Sequence, residues 1–84
     1  MYKVRLHPKV VRFLKKGDKS LSERIKKKLQ TIRENPFRYL EHYESQDFYK
    51  LRIGQHRALI DVDTTRKILF VRHLDHRKRI YKRN

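Results

Sequence analysis

The side chains best suited to chemistry in this sequence are cations in its C-terminal half. Lys50 and Arg52 are separated by one residue, and Arg57 follows shortly after them. A second group closes the chain and consists of His76, Arg77, Lys78, Arg79 and Tyr81. RNA carries its own nucleophile, the 2′-hydroxyl, so its cleavage needs only in-line geometry, a proton acceptor, a proton donor and positive charge beside the phosphate. Arginine can hold phosphate oxygens, and a lysine among other cations can accept a proton. These residue types therefore indicate a cationic site for RNA.

Other kinds of catalytic or ligand site lack the residues that they need. The histidines do not show the His-x-x-x-His spacing and the chain has no cysteine, so we expect no metal site. Gly17 and Gly54 are isolated and form no phosphate-binding loop, and there is no Ser/His/Asp pattern. His56 and His73 are interpreted as structural residues. We therefore expect chemistry without a metal or a cofactor.

The overall charge indicates a polyanionic partner. The chain has 24 Lys and Arg against 9 Asp and Glu, a formal charge of +15, which exceeds what solubility requires. Cations on a protein surface are commonly no more than solvated groups, but here they are concentrated on predicted elements. Those that we expect to contact RNA backbone phosphates are Lys26, Lys27, Lys28, Arg72, Lys78, Arg79, Lys82 and Arg83.

Length and composition favour one small cytoplasmic domain. A chain of 84 residues has room for a single, economical core. The absence of cysteine excludes a disulfide-stabilised secreted fold and is typical of a reducing compartment. No apolar run approaches the roughly 20 residues that span a bilayer, and residues 1–6 do not form a signal-peptide core. We expect a cytoplasmic protein that contacts no membrane.

A short strand and a short helix are predicted at the start of the chain. Residues 2–6 alternate between apolar and polar side chains, which predicts a strand. Its apolar face would consist of Tyr2, Val4 and Leu6. Pro8 suits the first position of a helix, and Gly17 suits its end. We therefore expect the first helix between these two residues.

A second helix follows, with one narrow apolar face. Ser20 and Glu23 have the spacing of a capping box, so the helix is predicted to begin at Ser20. Asn35-Pro36 is expected to end it. The apolar positions recur every three or four residues and are Leu21, Ile25, Leu29 and Ile32. Residues 37–47 are interpreted as a loop in which Phe37, Tyr39 and Leu40 pack towards the core.

Three further strands are predicted over residues 48–53, 56–63 and 67–74. Period-two alternation puts Lys50 and Arg52 on one face of the first of them, opposite the apolar side chains. In the second, the apolar alternate positions are expected to face the helices, so Arg57 would emerge beside Lys50 and Arg52, together with Leu59 and Asp61. The third strand has apolar side chains at both sets of alternating positions, so its period does not show on which face of the sheet Arg72 lies.

The order strand, helix, helix, strand, strand, strand predicts an α+β domain over residues 1–84. Two helices would cover one face of a four-stranded, mainly antiparallel sheet (β-α-α-β-β-β). The other face of the sheet would remain available. Lys50, Arg52 and Arg57 are expected to lie on it.

Three runs of this sequence resemble the RelE branch of the RelE/ParE toxin superfamily. They are YKLRI at 49–53, GQHR at 54–57 and DHRKRIY at 75–81. The opening strand leading into His-Pro-x-Val, and the Lys-rich helix ending at Asn-Pro, extend the likeness over essentially the whole chain. The resemblance implies a toxin of a type II toxin-antitoxin system that enters the ribosomal A site and cuts the mRNA there. It also implies an antitoxin that neutralises the toxin by wrapping around it.

The resemblance further implies roles for five residues. Lys50 and Arg52 match two basic residues near the 2′-hydroxyl, and Tyr81 matches a tyrosine that orients or stacks on the base. Arg57 and Arg77 match arginines that hold the scissile phosphate. These five residues, with His76, form the expected catalytic set.

Three departures from the RelE pattern affect these roles. Arg52 stands where RelE itself carries lysine, so Lys50 is the expected base if this pair supplies one. The chain is two residues shorter than RelE before Tyr81, which affects the reach of that side chain. His76 is similar to a histidine that related branches place near a terminal tyrosine as an acid. The proton donor is therefore His76 or Arg77.

The resemblance implies two kinds of partner. One is a cognate acidic antitoxin, with oligomers formed only through the antitoxin complex, and the other is the ribosome with its mRNA. Two alternatives to the nuclease remain, a gyrase inhibitor of the ParE branch and a noncatalytic RNA-binding or ribosome-binding module. The presence of Lys50, Arg52 and Tyr81 together favours the nuclease.

Overall fold

The structure is a computed structural model that describes residues 1–42 and 47–76. Its elements in chain order are β1 (Lys3–Leu6), α1 (Pro8–Lys16), α2 (Lys19–Thr31), a 3-10 turn (Pro36–Arg38), β2 (Glu41–His42), β3 (Tyr49–Ile53), β4 (His56–Asp63) and β5 (Ile68–His76). The predicted α+β class and the predicted order of the helices and long strands are confirmed.

The strands form one mixed sheet in the order β1-β5-β4-β3-β2. The pairs β2–β3, β3–β4 and β4–β5 are antiparallel, whereas β1 runs parallel to β5. The sheet has five strands and not the four predicted, because β2 has only two residues and is too short to show a period. Its location beside β3 places Glu41 opposite Lys50.

Both helices pack on one face of the sheet. The apolar stripe of α2 is confirmed, since Ile25 and Ile32 are fully buried and Leu29 nearly so. These side chains meet the alternate residues of the strands in one core, to which the sheet contributes Leu51, Ile53, Ala58, Ile60, Leu69, Val71 and Leu74. Burying this apolar face is what fixes the strands in register, because a slip of one residue would expose it.

The start of α2 differs from the prediction. Asp18, and not Ser20, is the N-cap, and its side-chain oxygen accepts a hydrogen bond of 3.2 Å from the backbone N–H of Ser20. Ser20 lies inside the first turn of the helix. Asp is at least as good an N-cap as Ser, so Asp18, which comes first in the chain, accepts the hydrogen bond from the free backbone N–H at the start of the helix. The predicted capping box from Ser20 to Glu23 is therefore wrong.

Replacing Asp18 by alanine is expected to lower the free energy of unfolding by about 1 kcal/mol, because the α2 N-terminus loses its cap. Ser20→Ala is the matched control, and we expect it to change stability by only a few tenths of a kcal/mol because alanine suits the first helical turn. Urea denaturation of the two variants measures this difference. A larger loss for Ser20→Ala than for Asp18→Ala would contradict the assignment of the cap.

Other boundaries also shift from their predicted positions. The second helix ends at Thr31 and not at Asn35-Pro36, which instead lead into the 3-10 turn. Lys67 has a φ of 58° in the turn before β5 and does not belong to that strand. Leu40 is buried as expected, but Phe37 is 47% exposed and does not pack into the core. β5 continues to His76 and does not end at residue 74 as predicted.

Candidate nucleic-acid interface

Three predicted site residues lie together on the face of the sheet that the helices leave uncovered. In the β3–β4 pair, Arg52 is directly opposite Arg57, and Lys50 is directly opposite Leu59. Residues directly opposite each other share a face and have Cα atoms about 4.5 to 5.5 Å apart. We call Lys50, Arg52 and Arg57 the basic face. The period-two prediction that these cations share one side of the sheet agrees with this register.

Arg57 is fixed more firmly than its sequence context suggests. Only 5% of the residue is exposed, so the expectation that it emerges from the sheet is wrong, although its face is as predicted. Its Nη1 donates to the carbonyl oxygens of Gly54 at 3.1 Å and His56 at 2.9 Å, and its buried Nε has no hydrogen-bond partner. The guanidinium thus folds back on the β3–β4 turn. A charge held in this way needs little reorganisation to meet an anion.

Lys50 is held beside a carboxylate that the sequence did not reveal. Its Nζ lies 3.8 Å from Oε2 of Glu41 on β2, and its side chain is 19% exposed. Glu41 precedes the undescribed residues 43–46 and lies in a region without a clear period. No sequence signal therefore paired it with Lys50.

Arg72, which we expected to contact RNA, lies on the uncovered face but is already engaged. Its Nη1 is 3.3 Å from Oδ1 of Asp61, and its guanidinium stacks 4.8 Å from the centre of the Phe48 ring. A register irregularity in the β4–β5 pairing between Leu59 and Ile60 explains why simple alternation could not place it. Asp61 offsets part of the charge that Arg72 would offer to a phosphate.

His76 is not brought together with the basic face. It pairs with His56 across β4 and β5, and the two rings are 5.5 Å apart. His56 in turn meets the edge of Phe13 of α1, with ring centres 5.8 Å apart, so this pair lies on the side that the helices cover. The predicted catalytic set is therefore divided, with His76 on the opposite side of the sheet from Arg57.

The surroundings of His56 favour its neutral form. Burial lowers the pKa of His56 below its usual 6.5, nearby His76 and Arg24 lower it further, and Asp75 opposes them. In the unfolded chain the histidine takes up a proton at about pH 6.5, before it does so in the folded protein. Its contribution to stability is therefore complete above that pH and is lost as the pH falls from there towards the folded pKa.

The pH dependence of stability should reveal this titration. Between about pH 7 and about pH 5, the wild-type protein is expected to lose more of its free energy of unfolding than the His56→Gln variant, because only the wild type must protonate this ring on unfolding. Urea denaturation at several pH values measures both curves. Parallel curves would contradict the prediction.

Asp75 is a site residue that the sequence analysis did not single out. It lies directly opposite Arg57 in the β4–β5 pair, it is 6% exposed, and its Oδ1 accepts a hydrogen bond of 2.8 Å from the N–H of His76. One signal could have drawn attention to it, because it is the only acidic residue between positions 64 and 84. The row Arg52–Arg57–Asp75 thus crosses three strands.

The lysines of α2 divide into two groups. Lys27 and Lys28 line a groove of about 340 Å³ that also includes Arg52, whereas Lys26 does not line it.

The remaining predicted site residues lie outside the described residues and are Arg77, Lys78, Arg79, Tyr81, Lys82 and Arg83. Within residues 1–42 and 47–76, no group of three or more His, Asp or Glu side chains could hold a metal ion. In the same part of the chain, no helix is long and apolar enough to cross a membrane.

A family model described as "ParE toxin of type II toxin-antitoxin system, parDE" matches residues 4–81. No curated protein sequence matches the chain.

Several solved structures have a similar fold. The toxin-antitoxin complex RelBE2 from Mycobacterium tuberculosis contains a chain with a TM-score of 0.78 and 20% identity, over 89% of this chain and 96% of that one. For the archaeal RelE-RelB complex from Pyrococcus horikoshii the TM-score is 0.76 and the identity 22%, over 93% and 97% of the two chains. For the intact E. coli RelBE complex these values are 0.75 and 23%, over 90% and 96%. These similarities show a shared fold.

Proposed function

The chain belongs to the family of ParE toxins of type II toxin-antitoxin systems, and from this premise we propose that it is a ribosome-dependent mRNA endoribonuclease. The predicted membership of the RelE/ParE superfamily is confirmed by the family match together with the shared fold. The proposed toxin enters the A site in the cytoplasm, cuts the mRNA without a metal ion and thereby inhibits translation.

The observation that carries this proposal is the fixed guanidinium of Arg57 on the basic face. It is buried and tethered to two backbone carbonyls, and it stands directly opposite Arg52. Like charges directly opposite each other destabilise a sheet. Asp75, opposite Arg57 on its other side, offsets part of this repulsion, and an anion bound beside Arg52 would offset more of it. A phosphate of RNA supplies that anion.

The proposed reaction is an in-line attack by the RNA on itself. The 2′-oxygen forms a bond to the phosphorus, the bond from phosphorus to the 5′-oxygen breaks, and the products are a 2′,3′-cyclic phosphate and a 5′-hydroxyl. Arg57 holds the nonbridging oxygens as negative charge develops on them, and Arg52 assists it. Removing one such contact typically slows a reaction by about 10² to 10³-fold.

Two protons must move in this reaction. Lys50 is proposed as the group that takes the proton of the 2′-hydroxyl, which it can do only as the neutral amine. Its Nζ lies 3.8 Å from the Glu41 carboxylate in the free protein, so the proposal requires that RNA binding separates this pair and that Lys50 first releases its own proton to solvent. The 5′-oxygen needs a proton donor, and the location of His76 beside His56, on the helix-covered side, favours Arg77 over His76. Arg77 and Tyr81 keep the roles that the family resemblance implies, contact with the phosphate and stacking on the base.

The other cations are proposed to dock the toxin on RNA. Lys26, Lys27 and Lys28 are on α2, and Arg72 is on β5, while Lys78, Arg79, Lys82 and Arg83 belong to the C-terminal tail. Contacts of this kind with backbone phosphates supply affinity that falls as salt concentration rises. Most of the +15 charge is assigned to this docking.

We also propose a cognate antitoxin as the protein partner. The solved relatives include complexes of RelE with RelB from E. coli and from Pyrococcus horikoshii. A basic chain such as this one is best matched by an acidic antitoxin that orders on binding. Higher oligomers are expected to form only through the antitoxin.

Inhibition of DNA gyrase is a second candidate function. It is favoured by the description of the matching family, which names ParE toxins. A supercoiling assay distinguishes the candidates, because a ParE-like toxin blocks supercoiling by gyrase and leaves mRNA intact. The nuclease proposal predicts unchanged supercoiling.

Programmed ribosomes provide the direct test of the nuclease. Purified toxin, released from its antitoxin, is incubated with ribosomes that hold a defined codon in the A site, and the new mRNA ends are mapped. We expect cleavage within that codon. A message that remains intact, with toxin that still binds the ribosome, would refute the proposed activity and favour a noncatalytic ribosome-binding module.

A further inference from the structure

A basic groove separates α2 from the turn between β3 and β4, next to the basic face. We propose that this groove binds a backbone phosphate of single-stranded RNA adjacent to the phosphate that is cut. The inference rests on the proposed nuclease function for its ligand, and it assigns a site that lies on α2 as well as on the sheet.

The walls of the groove carry positive charge only. Four of the lining residues are cations, namely Arg24, Lys27, Lys28 and Arg52, and the other three are Thr31, Ile53 and Gly54. The volume is about 340 Å³, which leaves room for a phosphate group with its water. The lining contains no carboxylate, so an incoming anion meets no negatively charged side chain there.

The cations of the groove differ in how firmly they are held. The Nζ of Lys28 lies 5.0 Å from the centre of the Tyr39 ring. The guanidinium of Arg24 lies against Gly54, which has a φ of 59° and no side chain to occupy that space. None of the ion pairs found within residues 1–42 and 47–76 includes Arg24 or Lys27. Lys27 is exposed, and its charge is therefore available to an anion.

Arg52 links the groove to the proposed catalytic residues. Arg52 is one of the residues that line the groove, and it stands directly opposite Arg57 on the neighbouring strand. Because directly opposed Cα atoms are about 5 Å apart, an RNA strand whose phosphate is held by Arg57 can place a neighbouring phosphate near Arg52. The groove then continues the same backbone path onto α2.

The lining favours RNA over an acidic protein as the occupant. Segments that dock as helices bring apolar anchors into apolar pockets, but the one apolar side chain that lines this groove is Ile53, which is 4% exposed. A phosphate requires no such anchor and is well matched by guanidinium and ammonium groups.

The test compares two lysines on α2. Lys27 lines the groove and Lys19 does not, and both are exposed, so alanine at either position removes the same charge at little cost to the helix. The dissociation constant of a 2′-O-methyl RNA oligonucleotide, which cannot be cut, is measured at several KCl concentrations. For Lys27→Ala we expect the slope of log K against log[salt] to fall by about 0.7, the value for one single-strand phosphate contact, with no change for Lys19→Ala.

The outcomes separate the groove from the nuclease. Equal slopes for both variants, or no binding by the wild type, would overturn the groove. Loss of binding to a polyglutamate peptide by Lys27→Ala, with an unchanged RNA slope, would assign the groove to an acidic protein and overturn it as well. If ribosome-bound mRNA stays uncut while Lys27→Ala alone lowers the RNA slope, the nuclease proposal fails and the groove stands.

Discussion

Replacing Arg57 by alanine is expected to slow A-site mRNA cleavage by about 10² to 10³-fold, which corresponds to about 3 to 4 kcal/mol of lost transition-state stabilisation. The physical reason is that this guanidinium is fixed before the RNA arrives, by hydrogen bonds from Nη1 to the carbonyls of Gly54 and His56. Single-turnover cleavage on programmed ribosomes measures the rate, and a parallel binding assay measures ribosome affinity.

The comparison with Lys27→Ala makes this result specific. Lys27 is exposed on α2, so its loss should weaken ribosome binding more than it slows cleavage of bound mRNA. Arg57→Lys keeps the charge but not the planar fork of donors, and we expect it to restore only part of the rate. Because Arg57 is buried, thermal unfolding must confirm that each variant is folded. If cleavage and affinity fall in step for Arg57→Ala and Lys27→Ala alike, Arg57 has no catalytic role.

Ile60→Ala is expected to reduce the free energy of unfolding by about 2 to 5 kcal/mol, through lost burial and an unfilled cavity. Ile60 is fully buried in β4 and belongs to the core beneath both helices. A domain of 84 residues has a small stability margin, so this single change should leave much of the protein unfolded at 37 °C.

Ile68→Ala is the matched control for the core substitution. It removes the same side chain at the start of β5, where the isoleucine is only half-buried, so we expect a clearly smaller loss. Urea denaturation of both variants gives the two free energies. Equal losses would contradict the placement of Ile60 at the centre of the core.

The features that followed from the sequence were those governed by periodicity. Alternation in residues 49–53 separated the basic and apolar faces of β3, and the stripe ending at Ile32 identified the buried side of α2. Both patterns are long enough to be read and are enforced by burial of apolar surface. The same alternation placed Arg57 on the correct face of β4.

The features that the sequence did not reveal depend on single contacts. The burial of Arg57 results from its hydrogen bonds to the β3–β4 turn, and nothing in alternation distinguishes a buried arginine from an exposed one. Glu41 approaches Lys50 through a strand of only two residues. His76 belongs to the DHRKRIY run that supplies part of the catalytic set, but it directly follows Asp75 in β5. Successive residues of a strand point to opposite faces, so His76 lies on the face of the sheet opposite to Asp75 and Arg57.

These findings refine the catalytic hypothesis. The basic face holds Lys50, Arg52 and Arg57 together, and His76 is separated from it by the thickness of the sheet. The division makes Arg77 the preferred proton donor. Arg52 lies directly opposite Arg57 on β4 and also lines the groove beside α2.

The most direct test of the central claim is cleavage of an mRNA in which one A-site nucleotide lacks its 2′-hydroxyl. Programmed ribosomes are prepared with the all-ribose message and with a message that carries a single 2′-deoxynucleotide on the 5′ side of the cleaved bond. The proposed mechanism predicts that the first message is cut, with a 5′-hydroxyl on the downstream fragment, and that the second remains intact at that bond. Cleavage of both messages at equal rates, or of neither by ribosome-bound toxin, would contradict it.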